Sequence, residues 1–164
     1  MGSGFGEASH GTEEAALVSR RDGKEALRAA RRMAGRVGMN EEAIWGELGA
    51  EGFAAVVAGF YRRVRSDNLL GPMYPADDWE GSERRLWQFL CFRIGGDPSY
   101  MEERGHPRLR MRHVPFAIGI AERDRWLALM DAAMEESGVT PETREPLRAF
   151  FTQVADFMRN VPEA

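Results

Sequence analysis

The chain holds one cysteine in 164 residues, so neither an internal disulfide nor a cysteine-rich zinc site can form. No unbroken apolar run approaches the ~20 residues that a membrane span needs. Residues 1–6 lack the basic-then-apolar order of a signal segment, and Gly6 stands where N-myristoylation asks for Ser or Thr. There is no phosphate-cradling glycine loop and no HExxH metal pattern. Strand-like alternation and internal repeats are missing as well. These absences lead to the expectation of an all-α cytoplasmic protein that does not enter a membrane.

What is present is ordinary for one soluble domain: 43% hydrophobic and 29% charged residues. The net charge of −4 argues against a nucleic-acid-binding body, but it hides an asymmetry. Residues 20–36 carry seven basic side chains against two acidic ones, a net +5 that leaves −9 on the remainder. The chain therefore divides into a glycine-rich tail plus basic helical extension, residues 1–38, and a main domain, residues 39–164. The extension has a thin apolar stripe of Leu27, Ala30, Met33, Ala34 and Val37. Lacking Trp or Phe, that stripe suits salt-sensitive docking on the main domain or a neighbouring subunit better than a membrane.

In the main domain Asn40 is a natural N-cap for Glu41–Leu48. Phe53, Val56, Val57, Phe60, Tyr61 and Val64 then trace the buried face of a helix. The spacing predicts a tight turn at 69–74, a helix from Glu80 to Ile94 ended by Gly95-Gly96, and a helix led by Trp126 and closed near Gly138. Thr140-Pro141 opens a last helix with Leu147, Phe150, Phe151, Val154, Phe157 and Met158 on its core face. Residues 97–119, broken by Pro98, Gly105, Pro107, Pro115 and Gly119, form a long irregular stretch of the kind kept for function.

Three features there and nearby bear on chemistry. Of the three histidines, His10 lies in the tail, and Pro107 pushes His106 out of helical geometry. His113 ends a short run beside Val114-Pro115-Phe116, where it is either a structural histidine or a ligand facing an apolar cavity. Tyr61, Tyr74 and Trp126 place polar hydrogens on apolar faces. Each reaches a backbone carbonyl, or together they converge on a pocket. Arg104, Arg108, Arg110 and Arg112, near Arg84-Arg85, make either a solvated face or a site for a small anion such as a pair of carboxylates. Cys91, between Leu90 and Phe92, reads as packing.

The run Arg104-Gly105-His106-Pro107-Arg108-Leu109-Arg110-Met111-Arg112-His113-Val114-Pro115-Phe116 resembles the proximal segment of group II truncated haemoglobins. Phe60-Tyr61, Met73-Tyr74-Pro75, Glu83-Arg84-Arg85-Leu86, Gly95-Gly96 and Glu122-Arg123-Asp124-Arg125-Trp126 follow the family's order. The likeness covers roughly residues 42–159.

The resemblance implies a two-over-two helical sandwich holding haem b, preceded here by an extra N-terminal helix. His113 matches the proximal iron ligand. Tyr61, Tyr74 and Trp126 match the distal residues that hydrogen-bond a diatomic ligand, with Leu86 and Phe89 as apolar neighbours. Ser82 falls where longer globins often carry a distal histidine. Arg85, Arg112 and Tyr100 match positions near the haem propionates. The glycine pair usual between the first two helices is only partly kept, as Leu48-Gly49-Ala50-Glu51-Gly52. Slow dioxygen release from several donors then favours redox chemistry, such as nitric oxide or peroxide turnover with a reductase, over carriage. A gas sensor or store acting through a partner is the alternative.

Overall fold

The computed structural model describes residues 39–162, and among these there is no strand. The basic extension and His10 lie outside the described residues. Six helices, labelled here in chain order, build the domain: α1 Glu41–Arg65, α2 Trp79–Leu90, α3 Ser99–Arg104, α4 Leu109–His113, α5 Ile120–Glu136 and α6 Pro141–Met158. Two tighter or wider turns join them, a 3-10 turn at Gly71–Met73 and a π-helical turn at Cys91–Gly95. In the core α1 lies against α5 and α2, and α5 lies against α6. This packing agrees with the two-over-two sandwich that the resemblance implies.

The Asn40 side chain caps α1 by accepting from the Ala43 N–H at 3.1 Å. Glu41 and Glu42 in the first turn, and Arg62, Arg63 and Arg65 in the last, suit the helix dipole. The helix is broken at Gly49, whose φ of 53° and ψ of −166° leave the helical region. That positive φ costs glycine nothing, so a single residue makes the junction for which the family uses a pair. By length and composition α1 could cross a membrane. Its apolar stripe is instead used in the core: Phe53, Val56, Val57, Phe60, Tyr61 and Val64 are all buried.

Past α1 the chain turns on Asp67. Its buried carboxylate accepts from the Leu69 and Leu70 N–H groups at 3.0 and 2.9 Å and is paired with Arg125 of α5. That corner delivers Tyr74, extended as the residue before Pro75 must be. The next helix is shorter than its periodicity predicts. It starts at Trp79, stops at Leu90 and widens into the π turn, which allows close passage of α1. A Cβ on Gly95 would stand 2.6 Å from the Trp45 ring, so this contact requires glycine.

The stretch 97–119, read from sequence as irregular, is partly helical. It contains α3 and α4, each too short to show a helical period in sequence. A second difference lies in α6, where Phe157 is 42% exposed rather than in the core. Arg110 of α4 reaches across, donating to the Phe157 carbonyl at 3.0 Å with its guanidinium 5.5 Å from the ring centre. Thr140 takes the expected N-cap place before Pro141. Its hydroxyl, however, donates to Glu47 of α1 at 2.8 Å instead of capping α6.

Candidate haem pocket

A cavity of about 570 Å³ lies among the helices, with every site residue expected from the sequence on its walls. His113 and Arg112 come from α4, Tyr100 from α3, and Ser82, Arg85, Leu86 and Phe89 from α2. Tyr61 comes from α1, Tyr74 from the turn after it and Trp126 from α5. Ten positions spread over 66 residues of sequence are thus brought to one volume, a size usual for ligand pockets.

His113 is half-buried, and its Nδ1 lies 2.7 Å from the Leu109 carbonyl oxygen one turn earlier. A carbonyl can only accept, so Nδ1 carries the proton and the lone pair is on Nε2. That is how a histidine ligand is usually prepared, one nitrogen fixed by the protein and the other left for a metal. His106 is exposed, and its Nδ1 faces the Arg108 N–H at 3.3 Å. It serves the backbone just where Arg108 takes up the strained left-handed conformation, φ 40°.

The three aromatic donors are not equivalent. The Tyr61 hydroxyl donates to the Ser82 carbonyl at 2.8 Å and so joins α1 to α2. A phenol has one proton, and that of Tyr61 is committed to backbone. For this residue the carbonyl partner weighed from sequence is the one found. Tyr74 stacks on Trp79, with ring centres 5.6 Å apart, and meets Tyr61 edge-on. Burial pushes its hydroxyl up to about 12, against the opposing effect of a side-chain hydrogen bond from Trp126. An indole N–H only donates, so Tyr74 is the acceptor in that pair and keeps its own proton. Burial raises the Tyr61 hydroxyl as well, and both phenols are neutral at pH 7.

Arginines gather at one part of the wall. Arg85 donates to Asp78 at 2.7 Å and to the Ser82 hydroxyl at 2.8 Å, and it holds the Asp78 carboxyl below its usual range. Arg112 donates to the carbonyls of Pro107 and Arg104. Arg104 also lines the cavity, and its Nε is buried without a hydrogen-bond partner. Such an orphaned donor is costly unless something is bound there. Sequence reading had Arg104 within a basic run suited to an anion but gave it no place at the propionates. Leu70, Met73, Phe116, Phe150 and Val154 are further apolar lining residues, and nothing short of the fold brings them together.

These residues fit a haem. Among the described residues no three His, Cys, Asp or Glu converge to hold a bare ion. A single imidazole serves a metal that arrives with its other ligands, as haem iron does. The lining is largely apolar, and an unsatisfied arginine donor suits a propionate. Cys91, by contrast, is packing: its thiol is buried and pushed up to about 11.

Comparison with known proteins agrees with this geometry. The profile of the bacterial-like globins matches residues 43–160. The chain is 41% identical over 128 residues to the group 2 truncated hemoglobin YjbI of Bacillus subtilis, covering 78% of this chain and 96% of that protein. The crystal structure of the hemoglobin of Chloroflexus aurantiacus superposes with a TM-score of 0.68 at 42% identity, over 72% of this chain and 98% of that one. A truncated haemoglobin structure from Bacillus subtilis gives 0.68 at 40% identity, over 71% and 98%. The chain belongs to the bacterial-like globins, as a group II truncated haemoglobin that takes a haem cofactor and binds diatomic gases.

Proposed function

We propose that the protein holds haem b through His113, binds dioxygen with slow release, and uses it in cytoplasmic redox chemistry. Turnover of nitric oxide or peroxide, with electrons from a reductase, is the reaction class. The observation that carries this reading is the pairing, in one cavity, of an imidazole with its Nε2 lone pair available and the polar hydrogens of Tyr74 and Trp126. When bound, haem supplies the ferrous iron at which a diatomic gas is held and exchanges electrons. His113 would hold the iron through Nε2, and its bond to the Leu109 carbonyl fixes the ring and raises the basicity of that nitrogen. Trp126 polarises the Tyr74 hydroxyl, whose proton is left to stabilise negative charge developing in the cavity. Arg104, Arg85 and Arg112 supply positive charge for the propionates.

The Bacillus subtilis relative is described as oxygen-avid, which supports slow release here. The one available donor, at about 0.5–1.5 kcal/mol, lowers a dissociation rate by up to roughly tenfold. That is a poor property for a carrier. Absorption and resonance Raman spectra of the purified full chain, followed by turnover of nitric oxide or peroxide with a supplied reductase, test the reading. A ferrous histidine-ligated spectrum with catalytic turnover is expected. Haem binding with no turnover of either substrate would overturn the redox role, and His113→Ala with an unchanged spectrum would overturn the ligand.

A further inference from the structure

The helix that carries His113 is held in an unusual way. No residue of α4 is buried, and Met111 and the adjoining Val114 are each 67% exposed. A five-residue helix cannot hold itself, and its apolar anchorage is limited to the partly buried Leu109 at its first position. Its carbonyl ends need partners from elsewhere. They come from the segment after α6. The Asn160 side chain donates from Nδ2 to the His113 carbonyl at 3.2 Å and to the Phe116 carbonyl at 2.8 Å. Its Oδ1 accepts from the Ile118 N–H at 3.0 Å, and its own N–H donates to the Ile118 carbonyl at 3.0 Å. One side chain and its backbone thus fix both His113 and the turn that follows, 47 to 42 residues away in sequence.

We infer that Asn160 is a positioning residue for the proximal imidazole, acting through the His113 and Phe116 backbone; the inference rests on His113 being the haem ligand. The imidazole is steered by two things, the Leu109 carbonyl and the Phe116 ring, whose centre is 6.4 Å from its own. Asn160 holds the residue at each end of that arrangement, His113 itself and Phe116. Arg110 bonded to Phe157, and Arg112 bonded to Pro107 and Arg104, tie the rest of α4, while at its C-terminal end the His113 carbonyl accepts from the Phe116 N–H at 3.0 Å and from Asn160, which alone links that end to the segment after α6 by a side chain. Without it the His113 carbonyl keeps only the Phe116 N–H and the Phe116 carbonyl loses its side-chain donor, which loosens the last turn of α4 and the ring with it.

The experiment uses the haem-loaded full chain with Asn160→Ala and Asn160→Asp. The second variant keeps an acceptor for Ile118 but turns a carboxylate toward two carbonyls. Thr143→Val, which loses a hydroxyl bond to Glu47 in another part of the molecule, is the stability control. Resonance Raman of the ferrous protein reads the iron–histidine stretch, haem transfer to an acceptor globin reads retention, and thermal unfolding reads stability. Both Asn160 variants should move the stretch to lower frequency, broaden it, and speed haem loss by roughly tenfold, about one hydrogen bond's worth. The control should do neither. A variant that keeps its helical circular dichroism but no longer retains haem supports the inference equally. An unchanged band and unchanged haem loss, with only the thermal midpoint lowered as in the control, would overturn it. Absence of an iron–histidine band in the unaltered protein would instead remove the haem-ligand reading, and the inference with it.

Discussion

The donor chain in the cavity makes a quantitative prediction about three aromatic substitutions. Tyr61 has given its single proton to the Ser82 carbonyl, whereas Tyr74 accepts from Trp126 and retains its own. Tyr74→Phe removes the group that bears the available proton. Trp126→Phe removes the bond that orients and polarises it. One net hydrogen bond is about 0.5–1.5 kcal/mol, so either change should speed dioxygen dissociation between about twofold and thirteenfold. Because the two side chains act as one unit, the double variant should fall short of the product of the singles. Tyr61→Phe should change the rate less than about threefold while lowering stability by ~1 kcal/mol, since its bond ties α1 to α2.

Stopped-flow displacement of dioxygen from the ferrous protein, with all four variants at one pH and temperature, measures these rates. Two results would refute the reasoning. One is a Tyr61→Phe effect larger than those of Tyr74→Phe and Trp126→Phe. The other is full additivity of the Tyr74 and Trp126 changes. The neutral state of both buried phenols further predicts that the rates stay flat from pH 6 to 9, because burial raises each hydroxyl.

Three shorter predictions follow from other parts of the molecule. His113→Ala should abolish the ferrous histidine spectrum or lose haem, while His106→Ala, at an exposed histidine facing backbone, should keep both. Asp67→Asn should destabilise the protein by about 2 kcal/mol at pH 7 by weakening three bonds of the α1 corner. The Leu70 N–H, with smaller help from Arg125, holds this carboxyl below its ordinary 3.8, so its contribution is complete above that pH and is lost as pH falls through the lower folded value. Thermal unfolding of parent and variant should therefore converge in acid, and a gap that widens there would contradict the assignment. Deleting residues 1–38 should leave haem uptake intact and alter stability or assembly only slightly, as read by absorption and sedimentation.

The long amphipathic faces were legible in the sequence because burial imposes a period on them. Phe53 to Val64 states its helix through six apolar positions, and all six are buried. The short pieces were not legible for the same reason. Helices α3 and α4 have six and five residues, less than two turns, so no stripe can repeat within them. Phe157 reads as part of the α6 stripe, yet it is exposed while Ala155 and Met158 on either side of it are buried, and Arg110 lies against its ring. Composition left Arg104 open. A run of arginines reads as either a solvated face or an anion site, and only the fold shows one guanidine nitrogen buried and unpaired.

The same division runs through the site. Residue types suited to the chemistry were visible as imidazole, phenols, indole and guanidinium groups, and all reach one cavity. The direction of each proton was not visible, because it depends on partners far along the chain. Tyr61 finds Ser82 across 21 residues, and Asn160 finds His113 across 47. Hydrogen-bond direction decides which groups remain able to act on a ligand. Tyr61 and Tyr74, alike in sequence and with ring centres 5.6 Å apart, are therefore not equivalent: the Tyr61 proton ties two helices together, and in the proposed function the Tyr74 proton is the one left for a ligand.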